Sequence, residues 1–236
     1  MKQPTGEMPD NPAFAAAPLP VHLKDQVLAS ARALPSPVRA QHKRRVAVAY
    51  SVVFAAMVAV FLWAGGVDHG AGRPLPHTWA LTCGAALLAA GAMAIAFGRG
   101  KSSVGRQTAV LGLAALLTPV AAFLWHAAFA NTYTEPFARV GWRCLGLTLV
   151  LAALVLGAGF FLRRRTIAVA PTWSGAAFGA AAGASAGVFV DIWCPLANVP
   201  HVLVGHTLPL VILVAVGAAL GRLLLGVRRL RLEKAA

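Results

Sequence analysis

Residues 172–193 read TWSGAAFGAAAGASAGVFVDIW, twenty-two positions with a single charge, Asp191. A helix crossing a bilayer needs about 20 mostly apolar residues, and this run has that length. Gly175, Gly179, Gly183 and Gly187 recur at every fourth position, with alanine at most positions between. Residues four apart share one helical face, so the glycines form a groove that another backbone can approach closely. In lipid such van der Waals contact replaces the missing hydrophobic drive. Gly217 and Gly221 repeat the spacing. The expected partner is therefore the helix that carries them, with homodimerisation through the same groove as the alternative.

Working outward, five more apolar runs appear, at about 46–66, 78–97, 108–129, 142–162 and 202–225. The whole 236-residue chain is 58% hydrophobic and 12% charged, against about 25% charged for an ordinary soluble domain. Six such helices cannot all be central in one soluble core of this size. The runs are continuous rather than alternating, which excludes barrel strands. The expected fold is all-α: a polytopic membrane protein with six transmembrane helices in one bundle over 46–225. A cytoplasmic tail (1–45) precedes it and a basic end (226–236) follows. The tail is polar and Pro-rich and has no signal-peptide core, so the first span is expected to act as its own insertion signal.

The net charge of +14 could suggest nucleic acid, but its placement argues otherwise. Eighteen of the 21 basic residues fall in the tail, in the second and fourth connectors and at the C-terminal end; only Arg73, Arg139 and Arg143 lie on the other side. Basic loops stay cytoplasmic. Both termini are therefore expected inside the bacterial inner membrane, with the charge facing anionic lipid and no direct nucleic-acid contact. Trp63, Trp79, Trp125, Trp142 and Trp193 fall at outer ends of spans and Trp173 at an inner end, where indoles anchor helices in the headgroup zone.

This topology puts Cys83, Cys144 and Cys194 on the outer rim, with His69, His77, His126, His201 and His206. Two chemistries fit. Cys144 and Cys194 start and end neighbouring spans at one level and could form a disulfide. Alternatively, Cys194, His201 and His206 supply metal ligands, with thiolate and imidazole suited to zinc, cadmium or copper. The five-residue step from His201 to His206 is poor for one helical face, unless Pro195 and Pro200 make the connector irregular. Asp191, one turn before Cys194, is placed to hold a neighbouring histidine or to cap the bundle.

The spans show no charged cluster at midplane depth. That counts against a small transporter or metal permease, the main alternative; a membrane scaffold without sensing is the second. The one GxSxG string, Gly183–Gly187 (GASAG), lies inside a continuous apolar run rather than on a strand-to-helix turn. There is no HExxH and no complete Gly-x4-Gly-Lys-Ser/Thr phosphate loop, and nothing marks the chain as an enzyme. In the tail, residues 20–34 predict one amphipathic helix, with Leu23, Val27 and Leu28 on its apolar face and Pro35 ending it. A lone helix of this kind needs a partner or a membrane surface.

The second half reads W-R-C, an apolar span, R-R-R, A-P-T-W, the glycine run, W-C-P, P-H, G-H-T-L-P and GAALGRLLL. Over about residues 140–226 this resembles the NrsF-type membrane proteins, six-span negative regulators of extracytoplasmic-function sigma factors. The resemblance implies a sigma-factor partner held at the inner face and released by an outside signal, with heavy metals and oxidants as the expected stimuli. Cys144 and Cys194 match the family's paired cysteines, Pro195 follows the second, and His201 and His206 match histidines of some members. Trp193 departs from the pattern, since many members carry histidine there. Sigma contact through Leu23, Val27 and Leu28 is the expectation for the tail.

Overall fold

A computed structural model describes residues 37–70, 75–97, 108–129, 141–163, 168, 170–194, 196 and 198–226. The expected tail helix at 20–34, with Leu23, Val27 and Leu28, lies outside the described residues, as does most of the basic C-terminal end. Among the described residues there is no strand. The long helices are α1 (Pro37–Trp63), α2 (Leu75–Phe97), α3 (Thr108–Ala128), α4 (Trp142–Arg163), α5 (Pro171–Trp193) and α6 (Val199–Leu224). A short 3-10 turn, Gly66–Gly70, follows α1.

Helices α2 to α6 are each long and apolar enough to cross a membrane. The apolar part of α1, Ala47–Trp63, is shorter than the other five. The six expected runs thus coincide with six helices, of which five reach full spanning length. Their start and stop signals are local. Pro171 sits in the first turn of α5, where a missing N–H costs nothing. At the other end Cys194 is extended (φ −91°, ψ 121°), because a residue before proline, here Pro195, is pushed out of helical conformation.

Helix α5 is the hub. It packs against α2, α3, α4 and α6, and 72% of its apolar window is buried, against 33–39% for the other four. It also has the lowest mean hydropathy of the five, 1.4 against 1.9–2.5. The two facts have one cause. A helix surrounded by protein needs small side chains for close approach more than it needs greasy ones for lipid. Phe178, the alanines from Ala176 to Ala186, and Val190 are all almost fully buried.

The glycine groove is filled by α6. A Cβ at Gly175 would collide with the Gly217 carbonyl, and one at Gly179 with the Leu213 carbonyl. At Gly183 it would lie 3.1 Å from both Leu210 and Leu213, while Gly187 faces open space. The groove is thus covered within the chain, over its first three glycines, by α6.

Aromatic rings tie in the rest. Phe54 and Phe61 of α1 meet Phe189, and Tyr50 meets Phe97. Phe97 stacks on Phe178 at 4.7 Å, with Arg163 above that ring and donating to the Phe97 carbonyl at 3.3 Å. Arg163 therefore closes one end of the bundle as well as carrying charge. Trp193 corrects the anchoring expectation. It is buried, and its Nε1–H donates to the Ala64 carbonyl at 2.8 Å, so it joins α5 to the end of α1 rather than standing in the headgroup zone.

Candidate metal centre

At the end of the bundle opposite Arg163, six polar side chains are buried together. Cys144 opens α4, and its carbonyl accepts from Thr148 Oγ1 at 2.8 Å. Cys194 caps α5, its N–H donating to Val190 at 2.7 Å. Asn198 caps α6, its Oδ1 accepting from the His201 N–H at 2.9 Å. The Asn198 cap satisfies a first-turn N–H of α6 and the Cys194 cap a last-turn carbonyl of α5, and together they fix the helix ends that carry His201 and Cys194.

His206 arrives by a different device. Pro209 has no N–H to give to Gly205 one turn back, and its ring crowds that carbonyl. The helix widens over Val202–Thr207 into a π segment, and Leu208 N–H donates five residues back to Leu203. In a π turn residues five apart come one turn apart. That overturns the objection that His201 and His206 are badly spaced: their ring centroids lie 5.6 Å apart. The irregularity needed is in the helix, not only in the connector.

His201 Nε2 lies 3.3 Å from Cys144 Sγ and 3.1 Å from Cys194 Sγ. Neither cysteine is in a disulfide. The Leu196 N–H points at Cys194 Sγ from 3.5 Å. Cys194 lies between the spans, and its thiol is held well below the usual thiol range. The hydrogen bond with Cys144 is the main cause, and His201 and His206 add to it against the opposing effect of burial. One donor atom from each of Cys144, Cys194, His201 and His206 lies within 4.8 Å of all the others. All four residues are buried, at 2–5% exposure. Two sulfurs and two imidazoles are ligand types that could hold an ion such as zinc.

Behind it lies a second group. Asp191 Oδ1 accepts from His126 Nε2 at 2.7 Å and from His206 Nδ1 at 3.1 Å. His126 Nδ1 reaches the Ala122 carbonyl at 2.7 Å. Asp191, expected either to hold a histidine or to cap the bundle, holds two. The part of His126 was missed, because its side-chain partner Asp191 lies on another helix and leaves no local pattern. Cys83 is exposed and stands apart. Gly141 and Gly205, also missed, bring the start of α4 against the π segment.

An all-helical bundle of membrane-spanning length, with a buried cysteine–histidine cluster at one end, defines the class. The sequence model described as "NrsF: Negative regulator of sigma F" matches residues 30–226. The match covers most of the chain and includes the first three spans, so the protein belongs to this family of negative regulators of a sigma factor. No curated protein and no solved structure matches it.

Proposed function

We propose that the chain is a membrane anti-sigma factor. It holds an extracytoplasmic-function sigma factor at the cytoplasmic face of the bacterial inner membrane and releases it when the outer rim is oxidised or captures metal. Family membership supports the sigma-factor partner. The positive-inside distribution supports the orientation: Arg163 and Arg222 lie at the ends of α4 and α6 opposite the thiols. In this reading the tail, through Leu23, Val27 and Leu28, is the sigma contact.

The observation that carries the sensing reading is the junction Cys144–His201–Cys194. It joins the start of α4, the end of α5 and the start of α6 through three buried heteroatoms. Drawing the two sulfurs into a disulfide, with S–S near 2 Å, or around an ion, with bonds near 2.3 Å, tightens that junction. Packed helices respond to such a change by switching between arrangements rather than deforming gradually. A coupling of about 1–3 kcal/mol is typical of linked sites and suffices to alter capture at the far end.

The test is a pull-down with full-length protein in detergent and with residues 1–45. Capture of a sigma factor by the full chain, lost on adding cadmium or a thiol oxidant and restored by chelator or reductant, is the expected result. If neither bait captures any sigma factor, the assignment fails.

A further inference from the structure

The metal-sensing reading leaves open which ion the cluster takes and what prepares it. We propose that Asp191, braced by His126, is the positioning carboxylate that makes His206 the fourth ligand of a closed site. The set Cys144, Cys194, His201 and His206 then takes a divalent ion of the zinc–cadmium class. This rests on the metal-sensing reading and adds the ligand number, the ion class and the residues that orient the site.

His206 is the ligand whose role is least obvious from sequence, and its two nitrogens have different surroundings. Nδ1 is engaged by Asp191 at 3.1 Å. Nε2 is buried, and the ring also bears on the Cys194 thiol. A neutral imidazole carries hydrogen on one nitrogen and a lone pair on the other. In the bound state hydrogen on Nδ1, donated to the carboxylate, leaves the lone pair on Nε2, and a nitrogen of this ring lies within 4.8 Å of the two sulfurs and of His201. Metal-bound histidines are oriented in this way by a carboxylate on the far nitrogen.

His126 cannot itself be a ligand without breaking this frame, because both its nitrogens are used, on Asp191 and on the Ala122 carbonyl. It acts as a strut that fixes Asp191 from α3. The second cluster with ligand-type atoms, His126, Asp191 and His206, is therefore an outer frame sharing His206 with the inner set.

Charge selects the ion. A divalent ion with two thiolates and two neutral imidazoles is neutral, which suits a site this deeply buried. Four ligands of two sulfurs and two nitrogens match the tetrahedral preference of zinc. Capture forms two metal–sulfur and two metal–nitrogen bonds, and whatever protons those four atoms carry are released to solvent. No electron moves.

The experiment titrates full-length protein in detergent with cadmium. It follows the cadmium–thiolate absorption band and sets affinity against a competing chelator. Wild type is expected to bind one ion through two sulfurs. Asp191→Ala is expected to bind it about 10–100-fold more weakly, with the same two-sulfur band at saturation. Asp191→Asn, which keeps shape and one acceptor oxygen, should show a smaller loss in the same direction and serves if the alanine variant does not fold. Wild-type affinity in both variants overturns the proposal. So does undiminished binding in Cys144→Ser/Cys194→Ser, which would put the ion on His126, Asp191 and His206. A wild type with no cadmium–sulfur band instead defeats the metal reading on which the proposal rests.

Discussion

Gly141 and Gly205 meet backbone to backbone beside Cys144. A Cβ on Gly141 would lie 2.7 Å from the Gly205 nitrogen, and one on Gly205 would lie 3.0 Å from the Cys144 Cβ. Gly141 also sits at φ +72°, where a side chain is strained. This approach sets the depth at which the Cys144 sulfur stands opposite His201. Gly141→Ala is therefore expected to destabilise the bundle by about 1–3 kcal/mol and to weaken cadmium binding. Gly146→Ala, one turn along α4 with nothing within 4 Å, should do neither. Unfolding in detergent and chelator competition measure both effects.

The reactivity of Cys194 should depend on Cys144. The Cys144 hydrogen bond is the main cause of the low thiol range at Cys194. Removing it with Cys144→Ala raises the pH at which Cys194 becomes thiolate. Because the thiolate is the nucleophile, alkylation of Cys194 at neutral pH should slow, and its pH–rate curve should move upward. Mass spectrometry of the Cys194 peptide against pH checks this, with the exposed Cys83 as internal reference.

The glycines of α5 should not be equivalent. Gly179→Ala drives a Cβ into the Leu213 carbonyl of α6; relief requires the two helices to move apart. A loss of about 1–3 kcal/mol is expected from overpacking. Gly187→Ala meets nothing and gains helix propensity, so its stability should match or exceed wild type. Unfolding midpoints of the two variants, measured side by side, test the claim that α6 covers the first three glycines and not the fourth.

Metal should stabilise the fold through the cluster. An ion that binds only the folded chain adds about 2.7 kcal/mol at a concentration of 100 Kd. Cadmium is expected to raise the unfolding temperature of wild type and leave Cys144→Ser/Cys194→Ser unchanged. Equal shifts in both would place the ion elsewhere.

Most helix positions were legible because the apolar runs are long and sharply bounded, as at Pro171 and Cys194-Pro195; α1 is the exception, beginning at Pro37, ahead of its shorter apolar part. The α5–α6 contact was legible from glycines four apart on both helices. The cluster was half legible. Cys144, Cys194, His201 and His206 could be placed on one rim by topology, but their convergence depends on the π segment before Pro209, which no periodicity announces. The Asp191–His126 link spans 65 residues and two helices, so only the packed structure reveals it. Trp193 was misread for the same reason: its partner, the Ala64 carbonyl, is a backbone atom 129 residues away.

The central claim is that the cluster and the arginine-rich ends face opposite sides of a bilayer. Single reporters are read with Cys83, Cys144 and Cys194 all changed to serine, so that no native thiol reacts. Trp79→Cys stands at the cluster end of α2, and Leu223→Cys near the arginine end of α6; both positions are exposed, at 64% and 71%. A membrane-impermeant maleimide should label Trp79→Cys in spheroplasts and Leu223→Cys only in inverted vesicles. Labelling of both from the same side would contradict the account.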